Sequence, residues 1–204
     1  MAAVRPSLRE ARVILIGGTS NVGKSTVAQA LADRLEYEYR STDKLARHPG
    51  RPWPTPDRAV PAHVAEHYRT LTVDELITSV LEHYQRLWPR VEQLIADRAA
   101  NDTGLVLEGS GLWPALVAEL TVPRTAAIWL TAEKTVLSDR MRAASGYEEA
   151  DQEHRHLVEK FLGRTIRYQE LMLADLIKLG LPCLPVGGHT VGELADAVLA
   201  RALS

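Results

Sequence analysis

Between Leu15 and Leu31 the chain reads LIGGTSNVGKSTVAQAL, and Gly18 to Ser25 within it follow the pattern G-x-x-x-x-G-K-S. This is the spacing of a phosphate-binding loop, which needs a strand before it and a helix after it. Glycines let backbone N–H groups converge on phosphate oxygens, and the N-terminal end of the following helix adds positive potential. Lys24 brings a point charge to the outer phosphates, and the Ser25 hydroxyl can face Mg²⁺. Gly18, Thr19, Ser20, Asn21, Val22, Gly23, Lys24, Ser25 and Thr26 are therefore the expected ATP-binding loop, with Thr26 toward the sugar or base.

The flanks supply the required context. ARVILIGG (11–18) is a continuous apolar run rich in β-branched residues, the mark of a strand buried on both faces. From Lys24 to Leu35 the residues Val27, Ala28, Leu31 and Leu35 share one helical face. YEYRSTD (37–43), GLVLEGS (104–110), TAAIWLT (125–131) and LPCLPVG (181–187) read as further strands. Helical segments alternate with them, which predicts a parallel α/β sheet.

Thr72 and Glu75 form a capping box ahead of a long apolar stripe, Leu76 to Ile95, which Pro89 should kink or split. A second long helix is expected from about His156 to Leu179, stopped by Gly180 and Pro182. Thr190 and Glu193 open the last helix with another capping box. The proline-dense segment 46–61 is expected to be a loop.

At 204 residues the chain suits one domain with a sizeable core. A formal net charge of −2 gives no basic field for nucleic acid. A single cysteine, Cys183, excludes an internal disulfide and a cysteine-built zinc cluster. No apolar run approaches the roughly 20 residues that cross a bilayer, and MAAVRPSLRE lacks a signal-like core, so the expected place is the cytoplasm and no membrane is an expected partner. Oligomeric state is not legible.

Two acids can decide what the phosphate is for. Carboxyl ends of parallel strands face the ligand crevice. Glu108 ends the third strand and is expected to serve Mg²⁺, with Ser25. Asp43 ends the second strand and is expected to take a proton from an acceptor hydroxyl. Beyond Asp43, Arg47 and Arg51 suit an anionic acceptor, and Trp53 could stack on a ring. After the fourth strand a helix from about Ala132 loses its period near Ser145 and Gly146. Arg140 is the leading candidate there to stabilise the transferring phosphoryl group, with Arg142, Arg155, Arg164 and Arg167 as alternatives.

GGTSNVGKST, then STD, then LEGSGLWP resembles the small P-loop kinases of the nucleoside-monophosphate-kinase type, with particular similarity to the 2-phosphoglycerate kinase-like group and to chloramphenicol phosphotransferase and zeta-toxin kinases. The resemblance implies a three-layer α/β P-loop kinase fold, with a five-stranded parallel sheet and a helical, arginine-bearing lid. It implies ATP and Mg²⁺ as cofactors, and an acid after the second strand as general base. It also implies that GGHT (187–190) approaches the adenine. The DG-x-P-R segment of nucleotide kinases and a four-cysteine lid are absent.

The expected organisation is one kinase domain, 1–204, with an acceptor-binding helical insertion at about 46–101 and a lid at about 143–155. The expected activity is transfer of the γ-phosphoryl group of Mg²⁺–ATP to a hydroxyl of a small molecule. The rival is a nucleotide-gated ATPase or binding module without such an acceptor. HVAEH (63–67) matches a zinc-protease pattern, but the sequence offers no third ligand beside it. EGSG (108–111) lacks the leading glycine of a hydrolase nucleophile elbow, so Ser110 is not expected to attack.

Overall fold

The computed structural model describes residues 11–46, 49–55, 59–101 and 103–202. Its centre is β1 (Val13–Gly18), every residue of which is buried. β1 feeds α1 (Lys24–Leu35), and β2 (Glu38–Ser41) follows. Then come α2 (Ala62–Thr70), α3 (Val73–Ala100), β3 (Leu105–Glu108), α4 (Pro114–Ala118) and β4 (Thr125–Thr131). The chain ends with α5 (Lys134–Ser145), α6 (Gln152–Leu179), β5 (Cys183–Pro185) and α7 (Val191–Ala202). The five strands are all parallel, in the order β2-β3-β1-β4-β5.

Alternation along the strands sorts the core into two faces. Ile14, Ile16, Val106, Ile128 and Leu130 pack against α1 and α7, whose Leu31 and Val198 are wholly buried. Val13, Leu15, Leu105, Leu107 and Trp129 face the other way, onto α3 and α6. Helices on both faces of a parallel sheet make three layers. A third cluster, Trp53, Val64, Tyr68, Met141, Val158 and Phe161, joins the 49–55 segment and α2 to the first half of α6.

Both capping boxes form: Glu75 and Glu193 accept from Thr72 N–H and Thr190 N–H, each at 2.7 Å. Pro89 does not split its helix; α3 runs through it for 28 residues. Pro89 lies on an exposed face, where water can satisfy the carbonyl its missing N–H leaves open. The second long helix starts earlier than its periodicity suggests, at Gln152, because Asp151 accepts from His154 N–H at 2.8 Å and caps it. The short helix α2 falls within the expected helical insertion, whereas α4 lies where no helix is expected. α4 has only five residues, too few to show a period. No helix among the described residues is long and apolar enough to cross a membrane.

Candidate functional site

The parallel register sets the site. Ser41 of β2 lies beside Glu108 of β3, and Glu108 beside Ile16 of β1, so their carboxyl ends form one edge. From that edge the loop turns into α1 through Gly18 (φ 138°), Asn21 (φ 60°) and Gly23 (φ 104°). A large cleft of about 1120 Å³ opens there. Single-ligand pockets run to roughly 300–1,000 Å³, so this one has room for a nucleotide and a second compound.

Lys24 begins α1 and is buried, its Nζ donating to the Thr19 carbonyl at 2.7 Å. Burial pushes the Lys24 ammonium below its ordinary value. Glu108 and then Asp43 pull it back up, and Arg51 pushes it down again. Ser25 Oγ donates to Glu108 Oε1 at 3.0 Å, and Tyr39 OH reaches the same oxygen at 3.1 Å. Burial first, and Glu108 second, hold the Tyr39 phenol above its usual range, so it stays a neutral donor. Val22 is core, and contributes backbone rather than side chain to the loop. Thr19 is also buried, its hydroxyl donating to the Thr165 carbonyl of α6 at 2.9 Å. The buried Asn21 Nδ2 has no acceptor among the described residues.

Ser25 hydroxyl and Glu108 carboxylate are hard oxygen donors at the N-terminal end of a helix, and such a pair fits Mg²⁺. The Asn21 donor and the Lys24 ammonium fit phosphate oxygens. The residues present therefore suit Mg²⁺–ATP. His189, Val191 and Leu194, around the GGHT segment, line the same cleft.

Asp43 lies just past the strand end, in a 3₁₀ turn, Thr42–Lys44, capped by Ser41 Oγ, which accepts from Asp43 N–H at 3.3 Å. The turn packs tightly on the exit of β3. Gly109 has φ 152°, and a Cβ there would lie 1.8 Å from Thr42 Oγ1, so only glycine keeps the Asp43 turn beside Glu108. Asp43 is exposed and lines the cleft with His83, Tyr84 and Ser110.

Arg140 reaches the loop, Nη1 donating to the carbonyls of Val22 at 3.0 Å and Asn21 at 3.4 Å. The alternatives are engaged elsewhere. Arg142 pairs with Glu159 at 2.9 Å and lies over the Tyr147 ring, and Arg155 donates to the carbonyls of Tyr147 and Glu148. Arg167 faces Glu170 and Asp74. Arg164, by contrast, lines the cleft and is 8% exposed.

Of the expected acceptor residues, Arg51 lines the cleft and Arg47 lies outside the described residues. Trp53 is corrected: its side chain is wholly buried, edge-on to Phe161 at 5.0 Å, and no ring face is open to a ligand. Proline-flanked apolar side chains in a loop are as able to seal a core as to line a pocket, and here α2 and α6 close over this one. Tyr39, Tyr84 and Arg164 are cleft or edge residues that sequence reasoning did not assign to these places. For Arg164 a signal existed: it interrupts the buried stripe Phe161, Leu162, Thr165 and Tyr168 of α6. Among the described residues no group of three His, Cys, Asp or Glu is placed to hold a metal.

The AAA_18 family model, an AAA domain, matches residues 14–162. No curated protein matches the sequence. Several solved structures share the fold. A gluconokinase from Sinorhizobium meliloti 1021 superposes with a TM-score of 0.56 at 18% identity, covering 95% of this chain and 92% of its own. Shikimate kinase from Aquifex aeolicus vf5 gives 0.52 at 14% identity, over 93% and 95%. Shikimate kinase from Acinetobacter baumannii, in complex with shikimate, gives 0.51 at 12% identity, over 93% and 91%. At these identities the likeness is one of fold: the three-layer, five-stranded P-loop kinase architecture.

Proposed function

The chain belongs to the AAA_18 family of AAA domains, and we propose that it is an ATP-dependent kinase that phosphorylates a hydroxyl of a small anionic compound. One observation carries the reading: the cleft that holds the Lys24, Ser25 and Glu108 cluster also holds Asp43, whose carboxylate makes no hydrogen bond or ion pair among the described residues. A nucleotide switch has no use for a second, unengaged acid in an oversized cleft. The gluconokinase and shikimate kinases that share the fold are named for small hydroxy-acid acceptors, which supports the same class.

Gly18–Thr26 cradle the phosphates by backbone N–H groups and the α1 N-terminus. Ser25 and Glu108 would hold Mg²⁺, which would supply neutralisation of the phosphate oxygens when bound. Lys24 and Arg140 stabilise charge on the moving phosphoryl group. Asp43 orients the acceptor hydroxyl and takes its proton as the new O–P bond forms and the bond to ADP breaks. Soluble, cytoplasmic operation fits this chemistry, since ATP is its donor.

The test is acceptor-dependent ADP release across metabolites, nucleosides and antibiotics. A sharp rise with one chemical class is expected. Release that stays flat for every compound favours a nucleotide-gated module instead.

Residues 143–155 are proposed as the lid. They comprise the end of α5, Gly146 in the left-handed region (φ 63°), a 3₁₀ turn Tyr147–Glu149 and the start of α6. Tyr147 is held between the guanidiniums of Arg142 and Arg155, at 4.7 and 5.4 Å from its ring. Closure would have to rearrange these exposed contacts, each of which is weak in water. Amide hydrogen exchange across 143–155 is expected to slow when nucleotide and Mg²⁺ are added. Unchanged exchange with nucleotide bound removes the lid.

A further inference from the structure

Resting on the kinase reading above, we propose that Arg164, together with Arg51 in the same cleft, seats an acidic group of the acceptor, so that the substrate is a compact hydroxy compound carrying a carboxylate or a phosphate. Three observations converge on this seat. Arg164 is 8% exposed and lines the cleft, yet no carboxylate among the described residues pairs with it. Among the described residues its one hydrogen bond goes from Nη1 to the Tyr68 hydroxyl at 2.7 Å. A guanidinium has five N–H donors, so most of its capacity is unspent.

Aromatic rings hold it in place without neutralising it. The Arg164 guanidinium carbon lies 4.4 Å from the Phe161 ring centre and 5.6 Å from that of Tyr68. Phe161 in turn meets Trp53, and Arg51 lies 6.0 Å over the Trp53 ring. A buried Trp53–Phe161 pair thus carries one cation at each end. Cation–π contacts steady the Arg164 guanidinium, but they leave its charge and N–H fork available to an oxyanion.

The cost of a nearly buried, unpaired cation is large enough that folded chains rarely keep one without a use. The positive field is felt nearby: burial first, and Arg164 second, hold the His67 imidazole below its ordinary value. Tyr84 lines the same cleft as Asp43 and Arg164. An acceptor with its acidic group on Arg164 can therefore lie along Tyr84 toward Asp43. A planar fork accepts a carboxylate or a phosphate in two parallel hydrogen bonds, and a lysine does not.

The test measures ADP release by the full chain with Mg²⁺–ATP against hydroxy acids, sugar phosphates, their uncharged counterparts, nucleosides and antibiotics. Gluconate against glucose and glycerol 3-phosphate against glycerol are matched pairs, one for each acidic group. Active acceptors are expected among the charged members, and the better pair tells carboxylate from phosphate. With the best acceptor, Arg164→Gln is expected to raise its KM by about 30-fold or more, and Arg164→Lys by about tenfold. Both effects should fall on the acceptor KM more than on the KM for ATP. Thermal unfolding of the two variants separates loss of the seat from loss of the fold, and Arg164→Lys keeps the charge if Arg164→Gln does not fold. An uncharged best acceptor, or an acceptor KM unmoved in either folded variant, overturns the seat and leaves the kinase standing. No acceptor-dependent release from any compound overturns the kinase and the seat with it.

Discussion

Lys24→Ala is expected to lower acceptor-dependent turnover by about 10²–10³-fold with the fold intact. Lys24 lies at the start of α1, buried, its ammonium 2.7 Å from the Thr19 carbonyl of the loop it would serve. Burial already weakens its proton affinity, so the free protein holds this charge at some cost. A triphosphate relieves that cost, and the relief grows as charge moves onto the leaving oxygen in the transition state. Removing the ammonium therefore harms the chemical step more than ground-state binding. Stability should change little, because losing one hydrogen bond to Thr19 is offset by no longer burying a cation. Steady-state ADP release and a thermal melt check both halves. Turnover within a few-fold of normal sinks the catalytic role of the loop.

Why this loop was legible, and the acceptor side was not, follows from the range of the forces involved. Glycine spacing, the buried run of β1 and the apolar face of α1 act within one short segment, and each forms as its pattern predicts. β4 likewise spans Thr125–Thr131, the whole of TAAIWLT. Trp53 and Arg164 are set by contacts across roughly a hundred residues, to Phe161 and to Tyr68, and neither pattern shows which side of a helix the loop will cover. Thus the indole reads as an exposed platform and is core, while Arg164 reads as one lid arginine among several and belongs to the cleft wall. Pro89 shows a third limit: a proline can either kink a helix or end it, and periodicity alone does not report that α3 continues through this one.

Asp43→Asn is expected to cut acceptor phosphorylation by about 10²–10⁴-fold while leaving ATP affinity within a few-fold. The two acids at the sheet edge have different surroundings, and that separates their roles. Glu108 is buried and already receives the Ser25 and Tyr39 hydroxyls, so its oxygens are fixed beside the phosphate loop. Asp43 is exposed, and its carboxylate receives no hydrogen bond among the described residues. The turn that carries it is capped by Ser41, so asparagine at this position leaves the turn unchanged. Asparagine also keeps the shape and one acceptor oxygen, and loses only the basicity. A hydroxyl is a poor nucleophile while protonated, so transfer should fall steeply, and background hydrolysis of ATP by water should fall much less. Glu108→Gln, by contrast, should harm both reactions together, since it removes a ligand that every ATP-dependent step uses. Titrating Mg²⁺–ATP into each variant, and measuring both reactions, distinguishes the outcomes. If Asp43→Asn chiefly weakens Mg²⁺–ATP binding, Asp43 is a metal-side residue. If it changes nothing, the proton goes elsewhere and the acceptor hydroxyl does not lie beside this turn.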